Sequence, residues 1–128
     1  MLKLFAATTL TALSTLTIGS LPTYAQQNSS QTSPNPERLG ALTRAKNLAR
    51  VAAESANGGL GNYRAESSMH GPATEAPYVD NENGTWTFTF KGSVPGTTTP
   101  TVESVVTVTK DGSEVTVNYN GPIRSNGR

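Results

Sequence analysis

The chain has 128 residues, no cysteine and a formal net charge of +1 from ten basic and nine acidic residues. The absence of cysteine excludes a small secreted scaffold held by disulfides and a zinc site built on thiolates. The near-neutral balance, without a strongly basic segment, argues against nucleic acid or an anionic membrane surface as the main partner.

Residues 1–25 have the plan of a secretory signal peptide. Lys3 is the only charge before an apolar, threonine-rich run from Leu4 to Leu21, and the segment that follows ends in the small residue Ala25. A membrane anchor needs about 20 apolar residues, whereas threonine and serine interrupt this run repeatedly. We therefore expect cleavage near Ala25, export to the periplasm or the medium, and no stable membrane anchor afterwards.

Polar segments flank the predicted domain, which we place at residues 36–123. Residues 26–35 lack hydrophobic periodicity and predict a disordered polar linker. The short polar end, residues 124–128, predicts a disordered tail.

An amphipathic helix is expected from Pro36 to Ala56. Asn35 is a favourable N-cap, and Pro36 suits the first helical position. Glycine directly after Asn57 gives a stop signal. At 100° per residue one face is apolar and contains Ala41, Leu42, Ala45, Leu48, Ala49, Ala52, Ala53 and Ala56. The other face is polar and contains Arg44, Lys46, Asn47, Arg50 and Glu54.

The strict alternation of Thr85–Lys91 predicts the central strand of a sheet. Its large side chains would all face the core: Trp86, Phe88 and Phe90. Weaker alternation predicts further strands over 63–69, 102–109 and 114–120, with a short strand beginning at Tyr78. In the last of these strands the inward residues would be Val115, Val117 and Tyr119.

These elements predict an α+β fold, in which one N-terminal amphipathic helix packs on a three- to four-stranded antiparallel β-meander. Short turns favour the pairing of strands that are neighbours in sequence. The helix must cover one face of the sheet, because both elements carry an apolar side that cannot remain in water.

His70 is the only histidine, and it lies in a Met-His-Gly-Pro segment. A zinc site would need His70 together with carboxylates, which is a poor ligand set. No serine lies in a G-x-S-x-G elbow. The acidic turn from Asp80 to Glu82 lacks the ligand number of a calcium loop. We therefore expect no catalytic set, metal or cofactor, while an enzyme or metal protein centred on His70, assisted by Glu66 or Asp80, is the alternative.

Three loops rich in glycine and proline, Leu60–Asn62, His70–Pro77 and Ser93–Pro100, are expected at one end of the sheet, where binding residues tend to lie. The candidate binding residues are Tyr63, Arg64, Glu66, His70 and Tyr78. The pattern predicts a non-enzymatic exported binding module whose partner is another exported or envelope protein. A further alternative is an envelope-associated structural protein that self-assembles through an exposed strand edge.

Four segments carry a resemblance to known proteins: LARVAAESANGGLGNYRAE, SMHGP, NGTWTFTFKG and TPTVESVVTV. They resemble an uncharacterised group of small exported proteins of cyanobacterial type, over about residues 45–124. The resemblance implies export from a bacterium and assigns no catalytic residue. At the level of the fold alone, the predicted domain is similar to PepSY-type and cystatin-like domains, which bind or restrain other proteins, including proteases. The cystatin Q-x-V-x-G loop is missing, and Ser93–Gly96 is only distantly like it.

Overall fold

The computed structural model describes residues 35–125. The predicted signal peptide, nearly all of the linker and residues 126–128 lie outside this range. Within it the fold is α+β, as expected: one helix, α1, packs against an open antiparallel sheet of five strands. No helix within residues 35–125 is both long enough and apolar enough to cross a membrane.

Helix α1 spans Pro36–Ala56, which confirms the predicted bounds. The side chain of Asn35 accepts a hydrogen bond from the backbone N–H of Glu37 at 2.8 Å and so caps the first turn. The chain leaves the helix through Gly58 and Gly59, whose φ angles of 90° and 95° favour glycine. Local capping signals are therefore sufficient to define both ends of the helix.

Five strands form the sheet, rather than the three or four expected. They are β1 (Arg64–Ala65), β2 (Tyr78–Asp80), β3 (Thr85–Ser93), β4 (Val102–Thr109) and β5 (Val115–Pro122). The longest strand, β3, pairs with β4 on one side, and β5 follows β4 at the far edge. The additional strand arises because β1 and β2 are both short and share the other side of β3, so that Ala65 lies opposite Gly92 and Val79 opposite Thr87.

Strand β1 is shorter than the predicted segment 63–69. After Glu66 the chain turns into a short 3₁₀ helix, Ser67–Met69, and a second one follows at Ala73–Glu75. The turn buries Met69 completely. The alternating sequence pattern predicts a buried Met69 in an extended strand as well, so the pattern alone does not reveal the turn. The segment after β1 therefore packs on the side of α1 instead of extending the sheet.

The core lies between α1 and the inner face of the sheet. Trp86, Phe88 and Phe90 are at most 1% exposed, which confirms that β3 is the central strand. Ala45, Ala49 and Ala53 of α1 are equally buried, and their small side chains allow the helix to lie close to the aromatic rings.

Two charged residues predicted on the polar face of α1 are instead buried. Lys46 is 4% exposed and donates from Nζ to the backbone oxygen of Gly71 at 2.6 Å. Glu54 is 6% exposed and accepts from Arg50 at 2.8 Å. The prediction was wrong because it treated this face as solvent-exposed, whereas the segment after β1 packs against α1 at Lys46, and Arg50 pairs with Glu54. Conversely, Ala56 in the last turn is exposed.

The prediction that Tyr119 faces inward was also wrong. Val105 pairs with Tyr119 and Val106 pairs with Val117, so that Asn118 is the extra residue of a β-bulge. Beyond the bulge the alternation is reversed, and Tyr119 joins Val105 on the outer face. Asn120 takes the inner position, where its Oδ1 accepts hydrogen bonds from Ser104 and Asn57 at 2.8 and 2.9 Å, respectively.

Arg124, which we expected in the disordered tail, contacts the sheet instead. Its guanidinium pairs with the carboxylate of Glu103, which is 3% exposed. The same guanidinium lies over the ring of Tyr119, 3.7 Å from the ring centre. The buried carboxylate needs this cation, because an unpaired charge in a buried position is strongly unfavourable.

Candidate functional site

A cleft of about 310 Å³ lies at the end of the sheet where the three predicted loops meet. Each loop contributes one lining residue: Leu60, His70 and Pro95. Arg50 of α1 and Arg64 of β1 complete the lining. We call this the loop cleft. It combines apolar walls with two guanidinium groups and an imidazole, the mixed lining that is typical of binding sites.

Backbone pairing fixes the position of Arg64 in the loop cleft. Arg64 lies opposite Ser93 of β3, and the next residue, Ala65, is buried. Glu66 then donates its N–H to the oxygen of Lys91 at 2.9 Å, while the N–H of Lys91 donates to the Glu66 carboxylate at 2.8 Å. Since successive side chains alternate along a strand, a buried Ala65 leaves Arg64 exposed.

Tyr63 packs in the core directly before β1 and does not line the loop cleft. It is 1% exposed, and its ring packs so closely on Gly92 that a methyl group there would overlap it. Its hydroxyl is buried and has no hydrogen-bond partner among residues 35–125. Burial raises the pKa of this hydroxyl above its ordinary value. The structure therefore places this candidate binding residue in the core, where it positions its neighbour Arg64.

The ring of His70 is oriented by β1. Its Nε2 lies 3.2 Å from the backbone oxygen of Ala65. A carbonyl oxygen only accepts hydrogen bonds, so Nε2 carries the proton and donates it. In the neutral ring this leaves Nδ1 as an acceptor, and the His70 side chain is exposed. The imidazole therefore offers an acceptor to a molecule that enters the loop cleft.

The loop that carries His70 is anchored on both sides. Met69 is fully buried, and the oxygen of Gly71 accepts from the ammonium of Lys46. Burial lowers the pKa of Lys46, and the nearby charge of Arg50 lowers it further. These contacts hold the backbone on either side of the imidazole against α1.

Arg64 differs from the other arginines that the structure describes. The other four each donate to a protein oxygen: Arg38 to Asp80, Arg44 to the backbone of Asp111, Arg50 to Glu54, and Arg124 to Glu103. Within residues 35–125, Arg64 makes no ion pair and no side-chain hydrogen bond. Its donors therefore remain available to a ligand.

A second groove, of about 370 Å³, lies on the other side of Arg64. Its walls include Glu66, Ser93, Thr97, Thr98 and Pro100, and Arg64 lines both cavities. The carboxylate of Glu66 is engaged by the N–H of Lys91, as described above. Arg64 therefore stands between an apolar cleft and a groove rich in hydroxyl groups.

Tyr78, the remaining candidate, lies elsewhere. Its ring packs edge to face on Trp86, with the ring centres 6.5 Å apart, and against Phe88 at 6.0 Å. It lines a small cavity of about 60 Å³ near the start of α1 rather than the loop cleft. The structure thus brings together His70 and Arg64, places Glu66 beside them, and separates Tyr63 and Tyr78 from the lining.

The acidic turn after β2 has a structural role. The carboxylate of Asp80 contacts Arg38 at 2.9 Å and Lys110 at 2.8 Å, and it accepts from the N–H of Glu82. Hydrogen bonds from Lys110, from that backbone N–H and from Arg38 hold the pKa of Asp80 well below its usual range. Within residues 35–125, no group of three or more His, Cys, Asp or Glu side chains is arranged to hold a metal ion.

Arg50 was missing from the candidates derived from sequence. It lies on a helix face whose sequence predicts exposure to solvent, and only the tertiary fold brings it into the same cleft as Arg64. No local pattern marks this proximity. Leu60 and Pro95 lie within the predicted loops, but nothing in the sequence distinguishes them from the neighbouring loop residues.

Comparison with models of known protein families, with curated proteins and with solved structures finds no match.

Proposed function

We propose that this chain is an exported, non-enzymatic binding module that holds another exported or envelope protein through the loop cleft. The observation that carries the proposal is the exposed Arg64, which has no protein acceptor among residues 35–125 and lies in a cleft formed by three loops. An arginine with unused donors beside exposed apolar side chains is typical of an interaction site. The signal-peptide pattern of residues 1–25 supports export.

Exposed apolar side chains add to this end of the domain. Leu60 is 65% exposed and Val94 is 53% exposed. They lie on two of the loops that form the cleft, so the partner could cover both while it contacts Arg64. Burial of apolar side chains around a polar contact is the usual composition of a binding interface.

The hydrogen bonds around His70 favour binding over the alternative enzyme. His70 donates to the backbone of Ala65, Glu66 is engaged by the N–H of Lys91, and Asp80 is engaged by Arg38 and Lys110. The enzyme alternative assigns Glu66 or Asp80 to assist His70, which requires a carboxylate within hydrogen-bond reach of the imidazole. Neither proposed helper makes such a contact with His70.

The free edge of β5 supports the self-assembly alternative less well than the loop cleft supports the binding module. The bulge at Asn118 and the proline at position 122 both interrupt the free edge. Such features are common devices against edge-to-edge pairing. The loop cleft therefore remains the better candidate for the interaction surface.

Site-directed photo-crosslinking in the cells that produce the protein tests the proposal. A photoreactive amino acid replaces Leu60, and in a control variant it replaces Val51, which is 49% exposed on α1. We expect a discrete crosslinked protein from the Leu60 variant and none from the Val51 variant. Equal crosslinking at the two positions, or none at position 60, would contradict the proposal.

A further inference from the structure

We infer that the group recognised in the loop cleft is a carboxylate of an extended peptide segment, paired with the guanidinium of Arg64. The inference rests on the proposed function and specifies its chemistry. A planar guanidinium binds a carboxylate through two parallel hydrogen bonds, which gives both strength and orientation. Among residues 35–125, Arg64 is the arginine whose guanidinium donates no hydrogen bond to the protein.

The neighbouring imidazole distinguishes a peptide from a simple anion. Because Nε2 of His70 donates to Ala65, the neutral ring presents an acceptor at Nδ1. A free carboxylate has only acceptors to offer at neutral pH and gains nothing from this nitrogen, whereas inorganic phosphate still carries a P–OH group and is therefore tested as a separate probe below. A peptide has backbone N–H groups next to its carboxylate, so it satisfies Arg64 and His70 together.

The walls of the two cavities fit the remainder of such a segment. Leu60 and Pro95 provide apolar contact for a side chain adjacent to the carboxylate. A cleft of about 310 Å³ lies at the small end of ligand sites, which range over about 300–1,000 Å³. It therefore holds one or two side chains. The hydroxyls of Ser93, Thr97 and Thr98 in the second groove supply hydrogen-bonding groups to the peptide backbone.

Nearby charges determine the direction in which the peptide lies. The carboxylate of Glu66 lines the second groove, so an acidic group placed there would be repelled. On the other side, Glu54 is neutralised by Arg50, and the ammonium of Lys46 donates to the backbone oxygen of Gly71, the residue after His70. The carboxylate therefore enters the loop cleft, and the neutral part of the peptide lies over the second groove.

Peptide titration followed by NMR of the uniformly ¹⁵N-labelled mature chain tests this inference. The first probe is acetyl-Ala-Leu-Glu-Thr-Ala-amide, and the second has Gln in place of Glu. The third is the Gln peptide with a free C-terminal carboxylate, and the fourth is inorganic phosphate. The first and third probes distinguish a side-chain carboxylate from a terminal one. We expect at least one of these two to shift the Arg64 Nε–H and His70 signals saturably, and the amidated Gln peptide to bind at least about tenfold more weakly.

Three variants keep the test specific. Arg64→Gln should weaken binding of the acidic peptide by about tenfold or more, whereas Arg44→Gln, on the exposed face of α1, should leave it unchanged. Retention of the dispersed amide spectrum shows that each variant is folded. Arg64→Lys keeps the charge without the planar fork, so it should restore only part of the affinity.

Three results would overturn the inference. These are equal binding of the Glu and the amidated Gln peptides, equal or tighter binding of phosphate at the same signals, and no saturable shift with any probe. The crosslinking experiment separates this failure from that of the proposed function. A partner captured at position 60 despite Arg64→Gln leaves the binding module intact and refutes the carboxylate, whereas the absence of any captured partner refutes both.

Discussion

The close contact between Gly92 and Tyr63 leads to a sharp prediction about stability. A Cβ atom built at Gly92 would lie 2.5 Å from the Tyr63 hydroxyl oxygen, and two ring carbons would be closer still. Non-bonded carbon atoms pack at about 3.5–4.0 Å. The ring is fully buried and cannot swing into solvent, so Gly92→Ala must displace either the ring or the backbone of β1.

We expect Gly92→Ala to lower the free energy of unfolding by about 2–3 kcal/mol, near the upper end of the usual cost of overpacking. For a domain of this size that corresponds to a fall in Tm of roughly 10–20 °C. Urea unfolding and thermal unfolding, both followed by circular dichroism, measure the two quantities. An unchanged Tm would refute the packing of Tyr63 beneath Gly92.

Double-mutant cycles identify the atoms responsible for this loss. Tyr63→Phe removes the hydroxyl oxygen, which would lie 2.5 Å from the new methyl carbon, but keeps the two ring carbons that would lie closer, so it should relieve only a small part of the loss. Tyr63→Leu removes the ring, so the double variant should be more stable than the sum of the single effects by about 1–3 kcal/mol. Additivity in both cycles would show that the strain lies elsewhere. Because β1 carries Arg64, Gly92→Ala should also weaken binding at the loop cleft.

Three further predictions concern stability. Gly40→Ala adds a methyl group in α1 with no atom within 4 Å, so it should raise the free energy of unfolding by about 0.5–1 kcal/mol; a lower Tm would contradict this. The pKa of Asp80 is lower in the folded state than in the unfolded state. Its contribution to the free energy of unfolding is therefore complete above about pH 4 and is lost as the pH falls further. Asp80→Asn should therefore destabilise the domain at neutral pH and flatten its acid unfolding profile, as urea midpoints measured across pH would show. Tyr63→Phe removes a buried hydroxyl without a hydrogen-bond partner among residues 35–125, so the free energy of unfolding should stay the same or rise. The pKa of Tyr63 is higher in the folded state than in the unfolded state, so above about pH 10 ionisation of Tyr63 favours the unfolded state. The Phe variant should therefore lose less stability in that pH range.

The sequence is most informative where structure is determined locally. Asn35 and Pro36 mark the beginning of α1 and the glycines after Asn57 mark its end, because capping depends on neighbouring residues. The alternation of β3 is equally local, since each side chain faces the opposite side from the next. These patterns are sufficient to predict an α+β domain and its central strand.

Long-range packing determines what the sequence does not reveal. The alternation of β5 continues through Asn118 in the sequence, but pairing with β4 makes Asn118 an extra residue and reverses the positions of Tyr119 and Asn120. Lys46 and Glu54 have the spacing of an exposed helix face, yet both are buried, and Lys46 contacts the loop after β1. In the candidate site, the Met-His-Gly-Pro segment draws attention to His70, whereas the contribution of Arg50 depends on the tertiary fold.

The central claim is that the loop cleft binds a partner through Arg64, and affinity capture with matched variants tests it most directly. Residues 26–128 of the wild type, of Arg64→Gln and of Arg44→Gln are immobilised at equal density and exposed to envelope and medium fractions of the producing cells. The account predicts one protein that is retained by the wild type and by Arg44→Gln and is lost from Arg64→Gln. Equal retention by all three chains, or retention by none, would contradict the account.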